Sequence, residues 1–379
     1  MEYKLEDIFD LQMGKTPSRS NPEYWNSNDH KWISIGDLSR CGKYIEDTKE
    51  YLSDKAVEES GISIIPAGTV VMSFKLSIGK TAIIPEPMYS NEAIMSFRDK
   101  HVIDILPDYT YYMLSSRDWD TGTNKAVMGK TLNKATLSKI KVKVHGIAEQ
   151  KEIVRVLDKL NAVIEARQME TQKLEDLIKA RFVEMFNNRN YPKVKLGSVC
   201  KKITDGTHKT PTYLDEGVTF ISAKNIVNGE LDFSDIKHIS EREYQEIQKR
   251  CQTEIGDILL SKSGSLGAPV IVKTEEKLGL FESLAVLKYE RDRFLPEFLC
   301  EQLKTDAIQR QFSTGTKGVA VKHLHLGVIA NTEIIEPPIE EQRAFTSFVK
   351  QVDKSKAVIQ KSLEEAQLLF DSLMQQYFG

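Results

Sequence analysis

The sequence predicts an α+β protein made of two similar halves, each a mixed α/β domain followed by one long helix. The chain has 379 residues, which is too long for one ordinary core, and it contains an internal repeat at about half that length. Each half also ends in a long stretch of helical periodicity. These features divide the chain into a first domain (1–147), a first helix (148–187), a second domain (191–338) and a second helix (339–379).

The repeat is clearest at the two ends of the helical stretches. Gln150 and Gln342, which lie 192 residues apart, occupy the same place in the runs AEQK and EEQR that open the stretches. At the same distance, ARFVEMF at 180–186 corresponds to SLMQQYF at 372–378. The repeated unit therefore includes its final helix, and a linker that contains Pro192 joins the two copies.

Short β-branched stretches punctuated by Gly, Pro and Asn predict strands within each domain. Stretches that correspond at a distance of 188 residues are Trp32–Leu38 with Phe220–Ile226, and Pro66–Ser73 with Glu254–Ser261. Further strands are predicted at Thr81–Pro85 and Pro269–Val272. A helix that begins at a proline is predicted late in each domain, at Pro107 and Pro296.

The two long helices carry apolar residues at three- and four-residue steps, as in the seam of a coiled coil. In the first helix the seam runs from Ile153 to Ile178 and is interrupted by Arg167 and Thr171. Neither helix can bury such a stripe alone. The pattern allows two partners, either the other long helix or a helix of a separate protein.

Composition limits the possible functions. The formal net charge of −3 does not support nucleic-acid binding over the whole surface, so any DNA-binding surface must be a local basic patch. The four cysteines stand singly, which predicts reduced thiols, and His323 and His325 have no nearby third metal ligand. No stretch approaches the roughly 18 uninterrupted apolar residues of a membrane span, so we expect a soluble, cytoplasmic protein.

Motifs that suggest catalysis lack essential residues. The Gly-Lys-Thr triplets at 14–16, 79–81 and 129–131 have no glycine five residues earlier, which a phosphate-binding loop requires. The stretch Asn-Pro-Glu-Tyr at 21–24 has a glutamate where adenine methyltransferases have a second proline, and no glycine-rich cofactor loop precedes it. The sequence therefore predicts a chain without catalytic residues, bound cofactor or metal.

Other motifs recur near the start of both halves and before the second helix. In chain order they are GKTPS at 14–18, NPEYW at 21–25, WISIGDL at 32–38, DGTHKTP at 205–211, FISAKNI at 220–226 and IEPPIEEQ at 335–342. Together they resemble the target-recognition domains and conserved helices of type I restriction-modification specificity subunits, over essentially the whole chain. The chain departs from the family pattern before its first helix, where His145 and Gly146 replace the two prolines.

The resemblance implies partners, geometry and location. Each target-recognition domain would read one half of a bipartite site in double-stranded DNA, and the helices would pair as an antiparallel coiled coil that sets the gap. A helix of about 39 residues spans roughly 58 Å, more than the ~34–36 Å of one DNA turn. The chain would dock two methyltransferase subunits and, in some complexes, restriction subunits that translocate DNA. Those partners would bind S-adenosylmethionine, ATP and Mg²⁺ in the cytoplasm of a bacterium or archaeon.

Three pairs of corresponding loops supply the donors and lysines that sequence reading in DNA requires. The pairs are 74–80 with 262–267, 127–131 with 315–318, and 14–18 with 207–209. Each loop alone is also compatible with an ordinary solvated turn, but recurrence at equivalent places favours contacts with DNA. The predicted contacts are Lys15, Thr16, Lys75, Ser77, Lys80, Lys130, Asn133, Thr207, His208, Lys209, Lys262, Ser263, Ser265, Lys317 and Lys322.

Gln150 and Gln342 are predicted to contact partner subunits, together with the outer faces of the helices. The near-neutral charge allows an alternative function, a DNA-independent coiled-coil scaffold whose globular domains bind protein partners. Loop lysines clustered on one face would favour DNA, whereas dispersed lysines would favour the scaffold.

Overall fold

The protein has the α+β architecture expected from the sequence. The computed structural model describes residues 1–75, 77–117, 119, 132–187, 189–315 and 323–379. The chain forms two compact units, one of 1–168 with 361–379 and the other of 169–360. The division falls within both long helices, so each unit combines one globular domain with part of each helix.

The first half alternates short strands and short helices before its long helix. Its strands are β1 (Glu2–Lys4), β2 (Phe9–Met13), β3 (His30–Ile33), β4 (Glu50–Leu52), β5 (Val70–Ser73), β6 (Thr81–Ile83), β7 (Tyr89–Ser90), β8 (Ile94–Asp99) and β9 (Lys141–Lys143). Its α-helices are α1 (Leu5–Ile8), α2 (Ile35–Leu38), α3 (Asp54–Ser60), α4 (Pro107–Ser115), α5 (Lys134–Ser138) and α6 (Ile147–Phe186), and a 3-10 turn spans Pro22–Tyr24.

The second half repeats this order with a few additions. Its strands are β10 (Lys193–Lys195), β11 (Cys200–Asp205), β12 (Val218–Ile221), β13 (Ile226–Val227), β14 (Glu230–Leu231), β15 (Lys237–Ile239), β16 (Ile258–Ser261), β17 (Pro269–Ile271), β18 (Leu278–Leu280), β19 (Leu284–Tyr289) and β20 (Glu333–Ile335). Its α-helices are α7 (Leu196–Val199), α8 (Glu241–Arg250), α9 (Pro296–Lys304), α10 (Asp306–Thr314), α11 (Leu326–Asn331) and α12 (Ile339–Phe378), with a 3-10 turn at Ala223–Asn225.

The two domains share one sheet topology. The four-stranded antiparallel sheet has the order β2-β8-β5-β6 in the first domain and β11-β19-β16-β17 in the second. The three-stranded sheet is β4-β3-β7 in the first and β15-β12-β18 in the second, with one parallel pair in each. A short antiparallel ladder joins the start of each domain to the strand before its long helix, β1 with β9 and β10 with β20. The internal repeat read from the sequence is therefore a repeat of topology.

Buried apolar strands and proline-started helices explain the local structure. Every residue of β5 and of β16 is buried, in agreement with the apolar stretches Pro66–Ser73 and Glu254–Ser261 from which strands are predicted. The helices α4 and α9 begin at Pro107 and Pro296, where the missing N–H and fixed φ of proline suit the first helical position. Both predicted helices are confirmed.

The long helices run antiparallel, as each unit shows separately. In the first unit, Leu157 near the start of α6 and Met374 near the end of α12 belong to one buried cluster. In the second unit, Phe186 at the end of α6 lies 5.7 Å from Phe345 near the start of α12, measured between ring centroids. The start of α6 therefore packs with the end of α12 in the first unit, and the end of α6 packs with the start of α12 in the second. Among the residues that the structure describes, no helix combines the length and hydrophobicity of a membrane span.

Candidate nucleic-acid interface

In the first domain, loops from four places in the chain meet at one end of the four-stranded sheet. The Lys15 amide donates to the Ser90 carbonyl (2.8 Å), and the Phe74 amide donates to the Ala93 carbonyl (3.0 Å). The Leu132 amide then donates to the Phe74 carbonyl (3.2 Å). We call this group the first loop cluster, which comprises 14–18, 74–75, 77–80, 90–93 and 132–133.

The second domain builds the same arrangement from corresponding residues. The Thr207 amide donates to the Leu280 carbonyl (2.9 Å), and the Lys262 amide donates to the Ser283 carbonyl (2.7 Å). The Leu324 amide donates to the Lys262 carbonyl (2.8 Å). The second loop cluster comprises 206–209, 262–267, 280–283 and 323–325. Two of the three predicted loop pairs are thus brought together in each domain.

Glycine is required where these loops leave the sheet. An added Cβ would lie 2.1 Å from the carbonyl oxygen of Ser90 at Gly14, and 2.0 Å from that of Leu280 at Gly206. No side chain fits at such distances from backbone atoms. Gly14 and Gly206 therefore allow the first loop of each domain to cross the end of the parallel strand pair.

In each copy a buried serine at the end of a strand orders the loop that follows it, 74–75 with 77–80 in the first domain and 262–267 in the second, which we call the lysine and serine loop. The hydroxyls of Ser73 and Ser261 accept the amide seven residues later, at 3.1 Å and 2.9 Å, and donate to the carbonyl four residues later. Gly79 and Gly267 close the two loops with φ of 87° and 76°. The sequence signal for this role is the serine that ends both strands at the corresponding position, Ser73 in β5 and Ser261 in β16.

The first loop cluster presents several predicted contacts to solvent. Lys15, Ser77 and Lys80 are exposed and Lys75 is half-buried. The Lys15 ammonium donates to the carbonyl of Ser60. These side chains stay candidates for DNA contacts.

Two other predicted contacts of the first cluster already have polar partners. Thr16, which is half-buried, donates from its hydroxyl to Glu92. Asn133 caps α5, since its Oδ1 accepts the Thr136 amide at 2.8 Å.

The second loop cluster also has exposed candidates. His208, Lys209 and Ser265 are exposed, and Thr207 and Ser263 are half-buried. The Thr207 hydroxyl accepts the Lys209 amide at 3.1 Å. The turn is therefore ordered locally while the lysine side chain is in solvent.

Lys262 differs from the exposed lysine that the sequence analysis expected. Its side chain is buried, and its Nζ lies 2.5 Å from Oδ2 of Asp205. The backbone bonds show that Lys262 corresponds to Phe74, whose side chain is also buried, and not to the neighbouring Lys75. The Lys262 ammonium already has a buried partner in this structure, and its predicted contact with a DNA phosphate stays a prediction.

The Asp205 carboxylate is the counter-ion of this buried lysine. Burial by itself raises the pKa of a carboxyl, but the hydrogen bond and charge of Lys262 outweigh it, and Arg250 and His208 add to the effect. The pKa of Asp205 is therefore lowered below its ordinary value. The ion pair fixes the end of β11 against the loop that follows β16.

Three predicted contacts, Lys130, Lys317 and Lys322, lie outside the described residues. The same holds for most of the loop pair at 127–131 and 315–318.

The Gln150 side chain bonds to backbone groups inside its own domain. The residue is fully buried, and its Oε1 accepts the Leu106 amide at 3.0 Å. Its Nε2 donates to the carbonyls of Asp104 (3.0 Å) and His145 (2.9 Å). The side chain therefore joins the first turn of α6 to the loop before α4.

Gln342 has the same place in the second copy. It is fully buried, accepts the Leu295 amide at 3.0 Å, and donates to the carbonyls of Arg293 and Pro337, both at 2.9 Å. Each of the two side chains is used inside its own domain, and the contacts predicted for Gln150 and Gln342 with partner subunits stay predictions. The shared sequence signal reflects an internal joint between helix and domain.

Comparison with known proteins places the chain in a family. The model of the type I restriction modification DNA specificity domain matches residues 1–176 and 188–368. The type I restriction enzyme MjaIX specificity subunit of Methanocaldococcus jannaschii is 25% identical over 400 residues, which cover 98% of this chain and 90% of the relative. The EcoR124I/EcoR124II specificity subunit of Escherichia coli is 28% identical over 200 residues, or 47% of this chain and 48% of the relative.

Solved structures share the fold. The S subunit of a type I restriction-modification system from M. genitalium has a TM-score of 0.51 at 13% identity, with 100% of this chain and 96% of that chain covered. A structure of a type I R-M system assembly has a TM-score of 0.55 at 15% identity, with 100% and 97% covered. The sequence match over both halves, the repeated topology and the fold agree, and the chain belongs to the type I restriction modification DNA specificity family.

Proposed function

We propose that this chain is the non-catalytic subunit that gives a type I restriction-modification complex its DNA sequence specificity. Each domain would read one half of a bipartite target in double-stranded DNA. The observation that carries the proposal is the loop cluster. Each domain builds one from corresponding residues, at the corresponding end of its own four-stranded sheet. Two equivalent reading surfaces in one chain suit a target with two separate halves.

The chemistry of the loop clusters supports DNA as the ligand. Exposed lysines such as Lys15, Lys80 and Lys209 suit phosphate contacts, which position a protein on the duplex without reading its sequence. Hydroxyl groups such as that of Ser265 can donate to or accept from base edges in the major groove. Such local groups are compatible with a net charge of −3 for the whole chain.

The helix pair would set the gap between half-sites and dock the partner subunits. Each long helix has 40 residues, or roughly 60 Å at ~1.5 Å per residue. Two methyltransferase subunits and, in some complexes, restriction subunits would assemble on the chain in the cytoplasm of a bacterium or archaeon. S-adenosylmethionine, ATP and Mg²⁺ would be used by those partners.

The test is to co-express the chain with the methyltransferase subunit of its own system and sequence the host DNA for modified bases. The expected result is a split motif with a fixed gap. A stable complex that modifies no motif would instead favour a scaffold that does not bind DNA. A methyltransferase-subunit variant without activity, assembled on the same chain, is the control for background modification.

A further inference from the structure

Each loop cluster contains one glutamate at a corresponding place, Glu92 in the first and Glu282 in the second. Glu92 directly precedes Ala93, whose carbonyl accepts the Phe74 amide, and Glu282 directly precedes Ser283, whose carbonyl accepts the Lys262 amide. Both glutamates therefore lie in the turn that connects the two sheets, beside the lysine and serine loop.

In both copies one carboxylate oxygen of the glutamate contacts the corresponding residue of the first loop. Oε2 of Glu92 accepts from the hydroxyl of Thr16, and Oε2 of Glu282 lies 2.8 Å from Nδ1 of His208. Thr16 and His208 correspond, because each follows the residue whose amide bonds to the end of β7 or β18. A polar pair between the same two loops is thus repeated although the side chains differ.

Both carboxylates can accept a further hydrogen bond, because an ionised carboxylate has more than two acceptor positions. The Glu92 carboxylate accepts from Thr16 and from the backbone amide of Glu92 itself, and among the residues that the structure describes Oε1 of Glu282 has no hydrogen-bond or ion-pair partner. Glu92 is exposed and the Glu282 side chain is one-third exposed. Each glutamate is therefore oriented by contacts within its loop cluster and can still act as an acceptor.

The surroundings keep Glu92 ionised. The Thr16 hydrogen bond lowers the pKa of its carboxyl, burial opposes this, and the charges of Lys75 and Arg19 lower the pKa further. A fixed negative charge among lysines that face DNA is unfavourable next to phosphates. It is favourable next to an amino group of a base, which only donates, and a carboxylate accepting from cytosine N4 is an established pairing in the major groove.

We propose that Glu92 and Glu282 are base-reading residues, each of which accepts a hydrogen bond from the exocyclic amino group of a cytosine or adenine in its half-site. Thr16 and His208 are their positioning residues. This inference rests on the proposed function, since it needs the loop clusters to face DNA. It adds the chemical class of base that each half-site must contain.

The test uses Glu92→Gln and Glu282→Gln in the complete complex with methyltransferase subunits. Glutamine keeps an oxygen that can accept from Thr16 or His208, but it replaces the second acceptor by a donor. Glu92→Gln should alter or relax the modified motif at one base pair in one half, and Glu282→Gln at one base pair in the other. Binding to duplexes substituted at that base pair should lose roughly tenfold discrimination or more. Whether the lost base is cytosine or adenine identifies the amino group.

Matched controls are Glu86→Gln and Glu276→Gln, which remove one carboxylate from the turn before β7 and before β18. Both residues are exposed and lie outside the loop clusters, so the motif should not change. An unchanged motif in the Glu92 and Glu282 variants would overturn the inference. It would also be overturned if each variant lost base discrimination equally in both half-sites and unfolded at a lower temperature, because the glutamates would then only hold the loops together. A wild-type complex that modifies no split motif would overturn the proposed function, and the inference with it.

Discussion

Replacing Gln342 by alanine distinguishes an internal structural role of this side chain from a contact with a partner subunit. The wild-type side chain is fully buried and makes three hydrogen bonds of 2.9–3.0 Å to backbone groups of Leu295, Arg293 and Pro337. A net contribution of about 1 kcal/mol for each bond gives a loss of about 3 kcal/mol, because alanine leaves these buried groups without a partner. That loss corresponds to a change of more than about 100-fold in the unfolding equilibrium.

The assay is urea unfolding of the free chain, followed by binding of the methyltransferase subunit under conditions where the variant is folded. The free energy of unfolding should fall by about 3 kcal/mol while the affinity for the methyltransferase subunit changes little. Gln351→Ala on the exposed face of the same helix is the matched control and should change stability by no more than about 0.5 kcal/mol. Unchanged stability with lost methyltransferase binding would refute the internal joint and support the partner contact.

Three further predictions follow from the loop clusters and the helices. Lys75→Ala and Lys209→Ala should each reduce the slope of log K for DNA binding against log salt concentration by about 0.9. Lys262→Met should leave this slope unchanged and lower the free energy of unfolding by about 3 kcal/mol. Equal slopes for all three variants and the wild type would reject the phosphate contacts. Because the pKa of Asp205 is lowered in the folded state, its ionised form stabilises the fold above the ordinary carboxyl pKa of about 3.9, and this contribution is lost as the pH falls through the folded pKa. The free energy of unfolding of Asp205→Asn should therefore fall less steeply than that of the wild type below about pH 4. Parallel curves for the variant and the wild type would contradict this. Deleting one heptad from both α6 and α12 should change the gap in the modified motif, and an unchanged gap would exclude the helices as the spacer.

The fold could be predicted because its signals are local and occur twice. Buried strands such as β5 and β16 stand out as apolar runs, and Pro107 and Pro296 mark helix starts by their own covalent geometry. The ladder of β1 with β9 was not predicted, because its pairing joins residues more than 130 positions apart and its short strands have no strong pattern.

The candidate site could be predicted as loops but not as individual side chains. The distance of 188 residues already pairs Lys262 with Phe74, but the residue type alone suggested an exposed lysine, whereas the structure has its side chain inside the domain. The repeated glutamine of the helices stands out in the sequence, but sequence alone does not distinguish a buried internal contact from a docking contact. The base-reading role proposed for Glu92 and Glu282 could not be predicted from sequence, because contacts with a phosphate backbone favour lysine and arginine.

The short ladders at the base of each domain have a consequence for how such proteins can change. Because β1 pairs with β9 and β10 pairs with β20, the chain enters and leaves each domain on adjacent strands, about 5 Å apart. A domain whose two ends are neighbours can be exchanged for another with the same ends, and the exchange does not require the connecting helices to move. A new DNA target preference can therefore arise when one whole domain is replaced, without further substitutions in the rest of the chain.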